Sequence, residues 1–119
     1  MFTEAELDEE ADHIHVVGFM DPLSHSIAAT AVLVPEGNKL KMQRVAVTDE
    51  LRNKNIGSEM MKFCEHWALE NKYLVMYCHA RNTAVNFYLK NHYSIVGDYF
   101  DEDGIPHVRM EKALKSNPL

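Results

Sequence analysis

Residues 44–70 read RVAVTDELRNKNIGSEMMKFCEHWALE, and the fold is decided in this stretch. Arg44-Val45-Ala46-Val47 has the β-branched, apolar character of a strand end. From Ile56 to Glu70 the apolar residues Ile56, Met60, Met61, Cys64, Trp67, Ala68 and Leu69 recur at the spacing of one helix face, which predicts an amphipathic helix. A polar loop carrying Arg52 and Lys54 joins the two. The first amides of a helix lack intrahelical acceptors and the macrodipole adds partial positive charge, so this junction suits an anion. Its bland counterpart is a capped surface helix.

Outward from this junction the chain alternates between strand and helix signals. Ser26 to Val34 is a near-continuous apolar run, Pro35-Glu36-Gly37-Asn38 breaks it, and Lys39 to Thr48 resumes, as in a hairpin. In the second arm Leu40, Met42 and Arg44 share one phase while Val45 and Val47 fall out of step, which places a bulge near Gln43-Arg44. His13 to Phe19 reads as an earlier strand. Tyr73 to Cys78 is short and nearly all apolar, as in a strand covered on both faces. Asn82 to Lys90 carries a second helix, and Tyr93 to Phe100 and His107 to Met110 are strands around a turn at Asp101–Pro106. One strand-helix-strand unit should be parallel and right-handed. The pattern is α+β (mixed α/β), in a single domain over residues 1–119.

Composition narrows the function. With 119 residues and 46% apolar residues the chain can bury one core unaided, so Cys64 and Cys78 need no bridge; both sit in apolar segments and read as reduced, packed thiols of a cytoplasmic protein. The net charge of −6 argues against a nucleic-acid partner and mildly favours a cationic one. No apolar run approaches a membrane span, and the histidines form no zinc spacing, so neither membrane insertion nor a metal is expected. The acidic start, with six carboxylates among the nine residues Glu4 to Asp12, reads as a solvated helix end.

Arg52-x-x-Asn55-x-Gly57, with Arg-Val-Ala-Val before it, resembles the pyrophosphate-binding pattern of the GNAT superfamily of N-acetyltransferases. Asn55 stands where glycine is usual and Asn53 replaces another frequent glycine; asparagine is the non-glycine residue most tolerant of left-handed dihedrals. A second match lies in Ala80-Arg81-Asn82-Thr83-Ala84-Val85-Asn86-Phe87-Tyr88 and Gly104-Ile105-Pro106-His107. The resemblance covers about residues 13 to 112. It implies a twisted mixed sheet with helices on both faces and shortened N-terminal elements, leaving an acceptor pocket that a second copy could complete as a homodimer.

The resemblance also implies acetyl-CoA as cosubstrate and direct transfer of its acetyl group to a small-molecule or peptide amine. Residues implied to hold the cosubstrate are Val45, Ala46 and Val47, the loop Arg52, Asn53, Lys54, Asn55, Ile56, Gly57 and Ser58, and Ala84 and Phe87. An amine with a pKa near 10.4 is protonated at pH 7, and freeing it costs about 4.6 kcal/mol, so a base must take its proton. Tyr88 is the candidate general acid toward the leaving sulfur. His107 is the candidate base, with His79, Glu10 and Asp12 behind it. Two other readings fit the sequence: a CoA-binding sensor without transfer activity, and an α+β interaction domain whose helix start is merely capped.

Overall fold

The computed structural model describes residues 4–10, 13–21, 26–48 and 55–115, with backbone alone for 4–10, 20, 21 and 26. Strands β1 (Glu4–Glu10), β2 (His13–Asp21), β3 (Ser26–Glu36) and β4 (Lys39–Val47) are followed by α1 (Ile56–Glu70) and β5 (Val75–Arg81). A single 3₁₀ turn, Asn82–Ala84, leads into α2 (Val85–Lys90), and β6 (Ser94–Glu102) and β7 (Ile105–Ala113) complete the order. The seven strands form one sheet in the order β1-β2-β3-β4-β5-β7-β6. Among the described residues only the β4–β5 pair is parallel, as expected of the strand-helix-strand unit.

The acidic start is a strand rather than a helix end, paired antiparallel with β2 from Glu4↔Phe19 to Glu10↔His13. Glu4-Ala5-Glu6-Leu7-Asp8 alternates with period two, which outweighs its high charge. The last turn is also shorter than the six residues read from the sequence. Asp103 and Gly104 both take positive φ, 55° and 77°, and make a two-residue turn of the kind Asp-Gly favours, so that pairing runs on through Asp101↔Pro106 and Glu102↔Ile105.

Register assigns the faces. Ile14↔Leu33, Leu33↔Met42, Leu40↔Met76 and Cys78↔Met110 are partners, and all seven side chains are buried on one side of the sheet. Ile56, Met60, Met61, Cys64 and Ala68 of α1 and Val85 and Tyr88 of α2 join them in a single core. Each larger apolar side chain buried this way stabilises the fold by roughly 1.5–3 kcal/mol. Among the described residues both helices lie on this face, where the family resemblance implied helices on each. Right-handed crossovers from β4 to β5 and from β5 past β7 to β6 step in the same direction across the sheet, so they deposit α1 and α2 side by side. The α+β class and the mixed sheet stand as read.

A buried polar cluster ties this layer together. Glu65 of α1 accepts from the Tyr93 hydroxyl and from Lys112 Nζ, both at 2.8 Å, and Lys112 also donates to the Asn91 carbonyl. Both helices stop by the same device. Lys72 and His92 take left-handed dihedrals, φ 70° and 72°, and Tyr73 and Tyr93 return their N–H to Ala68 and Tyr88.

Asn55 opens α1 at φ 59° and ψ 19°, the left-handed conformation the motif required, with no side-chain capping bond. Asn55→Gly should therefore keep stability within about 0.5 kcal/mol, whereas Asn55→Val should lose about 1–2 kcal/mol, because a β-branched residue resists positive φ. Urea midpoints of the two variants check this, and equal midpoints would contradict the assigned conformation.

The two thiols are free and buried. Burial pushes Cys64 up to about 12, helped by the Glu65 charge, and pushes Cys78 up to about 12 against the smaller opposing pull of the Tyr88 hydrogen bond and Lys41. The native state thus keeps protons that the unfolded thiols release above their ordinary value of 9.0. Stability from this source is complete below pH 9 and declines as the pH rises toward 12. The thermal midpoint should fall between pH 9 and 11, less steeply in Cys64→Ala; a level or rising midpoint would refute the account.

Candidate active site

The site begins with a strand that turns away from its neighbour. β4 pairs with β5 only at Lys39↔Val75, Leu40↔Met76 and Lys41↔Tyr77, although β4 runs on to Val47 and β5 to Arg81. At Arg44, where φ is 54°, two residues of β4 oppose the single Ala31 of β3, between the pairs Val32↔Gln43 and Thr30↔Ala46. This is the bulge expected near Gln43-Arg44. It bends β4 and opens a wedge between the two parallel strands.

Past the bulge, Thr48 N–H bonds the Ala28 carbonyl at 3.0 Å and Ala46 is paired with Thr30, so the even-numbered residues face β3. The backbone N–H and C=O groups of Val45 and Val47 consequently face the wedge. A cleft of about 780 Å³ fills it. Lys41 to Val45 form one wall; His79, Ala80 and Arg81 of β5 form the other; Ala84 and Tyr88 close one end, and Glu102, Asp103 and His107 of the β6–β7 hairpin close the other.

The start of α1 adjoins this cleft. A Cβ added to Gly57 would meet the Phe87 ring at 3.1 and 3.2 Å and Val47 Cγ2 at 3.6 Å, so the absence of a side chain is what lets α1, α2 and the end of β4 approach one another. Asn55 and Ser58 border a second recess of about 370 Å³, shared with Lys62, Lys90 and Lys112. Ile56 is fully buried in the core, so only its backbone can serve a ligand. Phe87 packs on Gly57 rather than lining the cleft, and Ala46 is exposed. Arg52, Asn53 and Lys54 lie outside the described residues, as does Asp12; Glu10 falls in β1, at the edge of the sheet far from β5 in strand order.

Tyr88 reaches the cleft from α2 with its hydroxyl against the Cys78 thiol and its ring edge-on to Phe87 and Tyr93, at 5.2 and 5.7 Å. Burial first, and then the neighbouring thiol, raise its pKa, so it stays protonated throughout the neutral range. His107 is buried, with Nδ1 2.8 Å from the Ile105 carbonyl and Nε2 3.4 Å from Glu102 Oε2. Glu102 Oε1 in turn lies 3.2 Å from His79 Nδ1. The Phe100 ring stands edge-on to His79 at 5.1 Å and stacks on His107 at 6.1 Å.

The structure therefore brings Tyr88, His107, Ala84 and Val45 to one cleft and adds His79, which the sequence had ranked behind His107. Glu102 was missed. Its signal lay in Asp103-Gly104: read as a two-residue turn, it pairs Glu102 with Ile105 and carries that carboxylate toward His107, two residues on. Among the described residues no group of three or more His, Cys, Asp or Glu is placed to hold a metal ion, and no helix is long and apolar enough to cross a membrane.

Comparison with known proteins agrees with this geometry. A family model described as the acetyltransferase (GNAT) domain matches residues 4–114. The uncharacterized protein YyaT of Bacillus subtilis is 30% identical over 112 residues, which are 93% of this chain and 72% of that protein. The uncharacterized N-acetyltransferase YitI of the same organism is 27% identical over 115 residues, covering 92% and 77%. In fold, the chain is similar to the crystal structure of an aminoglycoside 6′-N-acetyltransferase complexed with coenzyme A, at a TM-score of 0.76 and 16% identity over 90% of this chain and 76% of that one. A wedge between parallel strands, a left-handed helix entry at the motif position and a family model spanning nearly the whole chain lead to one conclusion: this protein belongs to the GNAT acetyltransferase family.

Proposed function

We propose that the protein transfers the acetyl group of acetyl-CoA directly to a primary amine. The observation that carries this reading is the open edge of β4 beside the start of α1. Among the described residues the wedge-facing backbone groups of Val45 and Val47 have no strand partner, as at a sheet edge open to an added strand, and these suit the two amides of the pantetheine arm. At the far end of that edge Asn55 turns the chain left-handed, so the first amides of α1 point outward for the pyrophosphate. By the motif they belong to, Arg52 and Lys54 would add charge to that anion site. The likeness to a coenzyme A complex supports the same cosubstrate.

Chemistry follows from the cleft. The amine nitrogen attacks the thioester carbonyl carbon, a C–N bond forms and the C–S bond breaks. Tyr88, kept protonated by its burial, donates to the departing sulfur. An imidazole of the cleft takes the ammonium proton, and the second amine proton replaces the one Tyr88 has given up. Calorimetry with acetyl-CoA tests binding. Thiol release in the presence of a polyamine, an amino sugar, lysine and a short peptide then tests transfer; binding without release from any amine would favour a sensor of the same fold.

Arg52→Ala with Lys54→Ala should weaken acetyl-CoA binding tenfold or more while the fold persists, since charge-assisted phosphate bonds contribute roughly 1.5–3 kcal/mol each. Unchanged affinity in the folded double variant would remove the loop from the site.

Tyr88→Phe should lower kcat about tenfold to a hundredfold with little change in acetyl-CoA affinity. General-acid assistance is worth about 10²–10⁴-fold, and a thiolate needs less of it than most leaving groups. A purely structural Tyr88 would instead shift the thermal midpoint, through the Cys78 contact, and leave kcat intact.

A further inference from the structure

On the acetyltransferase reading just given, the geometry points to His79 Nε2 as the atom that takes the amine proton, with Glu102 positioning the ring and His107 anchoring Glu102. A carbonyl oxygen only accepts, so His107 Nδ1, 2.8 Å from Ile105 O, must carry a hydrogen. Its other nitrogen faces Glu102 Oε2 at 3.4 Å, and a proton must lie between these two acceptors, on one or the other. Both nitrogens of His107 are thereby engaged, and its side chain is only 7% exposed. It has no lone pair left for a substrate.

His79 differs on each count. Its Nδ1 lies 3.2 Å from Glu102 Oε1, which fixes the hydrogen on Nδ1 and leaves the lone pair on Nε2. Among the described residues nothing bonds that Nε2, the side chain is 27% exposed, and the residue lines the cleft that also holds Tyr88. A base oriented by a carboxylate on its far nitrogen is the arrangement that activates nucleophiles in many unrelated enzymes. Phe100 contacts both imidazoles and limits their rotation. In the step itself, His79 Nε2 takes one proton from the ammonium, the freed nitrogen lone pair forms the C–N bond, and His79 returns its proton to solvent.

Two measurements test this. Long-range ¹H–¹⁵N correlation on uniformly labelled protein, assigned with His79→Gln and His107→Gln, should show neutral His79 with its hydrogen on Nδ1; a hydrogen on Nε2 instead overturns the inference whatever the activity. With acetyl-CoA and an amine from the panel that the wild type acetylates, His79→Gln should lower kcat about 10²–10⁴-fold at unchanged acetyl-CoA affinity, and free imidazole should restore part of the activity of His79→Ala. Glu102→Gln should lower kcat about tenfold, and Glu102→Asp should recover part of it. Imidazole rescue of His107→Ala but not of His79→Ala would return the base to His107. A wild type that acetylates none of the amines would overturn the acetyltransferase reading itself, while the ring tautomer would still judge the Glu102–His79 arrangement.

Discussion

One distortion governs the molecule: the left-handed turn of Arg44, which ends the union of β4 and β5 after three paired positions. A parallel pair that stayed closed would satisfy every backbone group of both strands and leave no cleft. By placing two residues of β4 against one of β3, the bulge keeps β4 bound on that side and releases the other. The wedge, the outward-facing amides of Val45 and Val47, and the entry of α1 at Asn55 all follow from it. Holding Arg44 at positive φ costs about 1–2 kcal/mol, and Asn55, a residue type more tolerant of that region, takes the same conformation at the start of α1.

Such an edge needs a rigid frame, and the helix layer supplies it. α1 and α2 meet at Gly57, where a side chain would force Phe87 aside, and the Glu65–Tyr93–Lys112 cluster fastens α1 to the strands beyond α2. These contacts lie on the covered face. On the other face the aromatic and charged side chains brace one another: the Arg109 guanidinium sits 3.8 Å over the Tyr77 ring, and the Tyr77 hydroxyl donates to Glu36. On both sides, each buried side-chain nitrogen or oxygen among the described residues has a hydrogen-bond partner.

Much of this was legible in the residues. The helix from Ile56 to Glu70 was bounded correctly because its apolar period and the polar loop before it agree with one another. The bulge was legible as a break in alternation. The strand at Glu4–Glu10 was not, because its acidity drew attention from its period. β5 starts at Val75 rather than Tyr73, since Tyr73 and Leu74 are taken up in closing α1 and in bonding the Asn38 carbonyl. Helix placement on one face depends on strand order, which no local pattern states. The pairing of His79 with Glu102 and His107 is of the same kind: residues 23 and 28 positions apart meet only because β7 slides between β5 and β6, putting Arg81 opposite His107.

That insertion has a consequence for how the chain reaches its native form. β5 and β6 are neighbours in sequence but never touch as strands; the gap between them is filled by residues 105–113, so the sheet stays split until that segment is available. During synthesis the first four strands and α1 can gather early, through hairpins and one short crossover. The histidine end of the cleft cannot, because both of its walls wait on the final strand. Pairings of high sequence separation are also the slow ones, since chain closure precedes any reward in contacts. A partly made chain can thus hold the start of α1 against the end of β4 while lacking the histidine end of the cleft, so the two ends of one cleft form at different times.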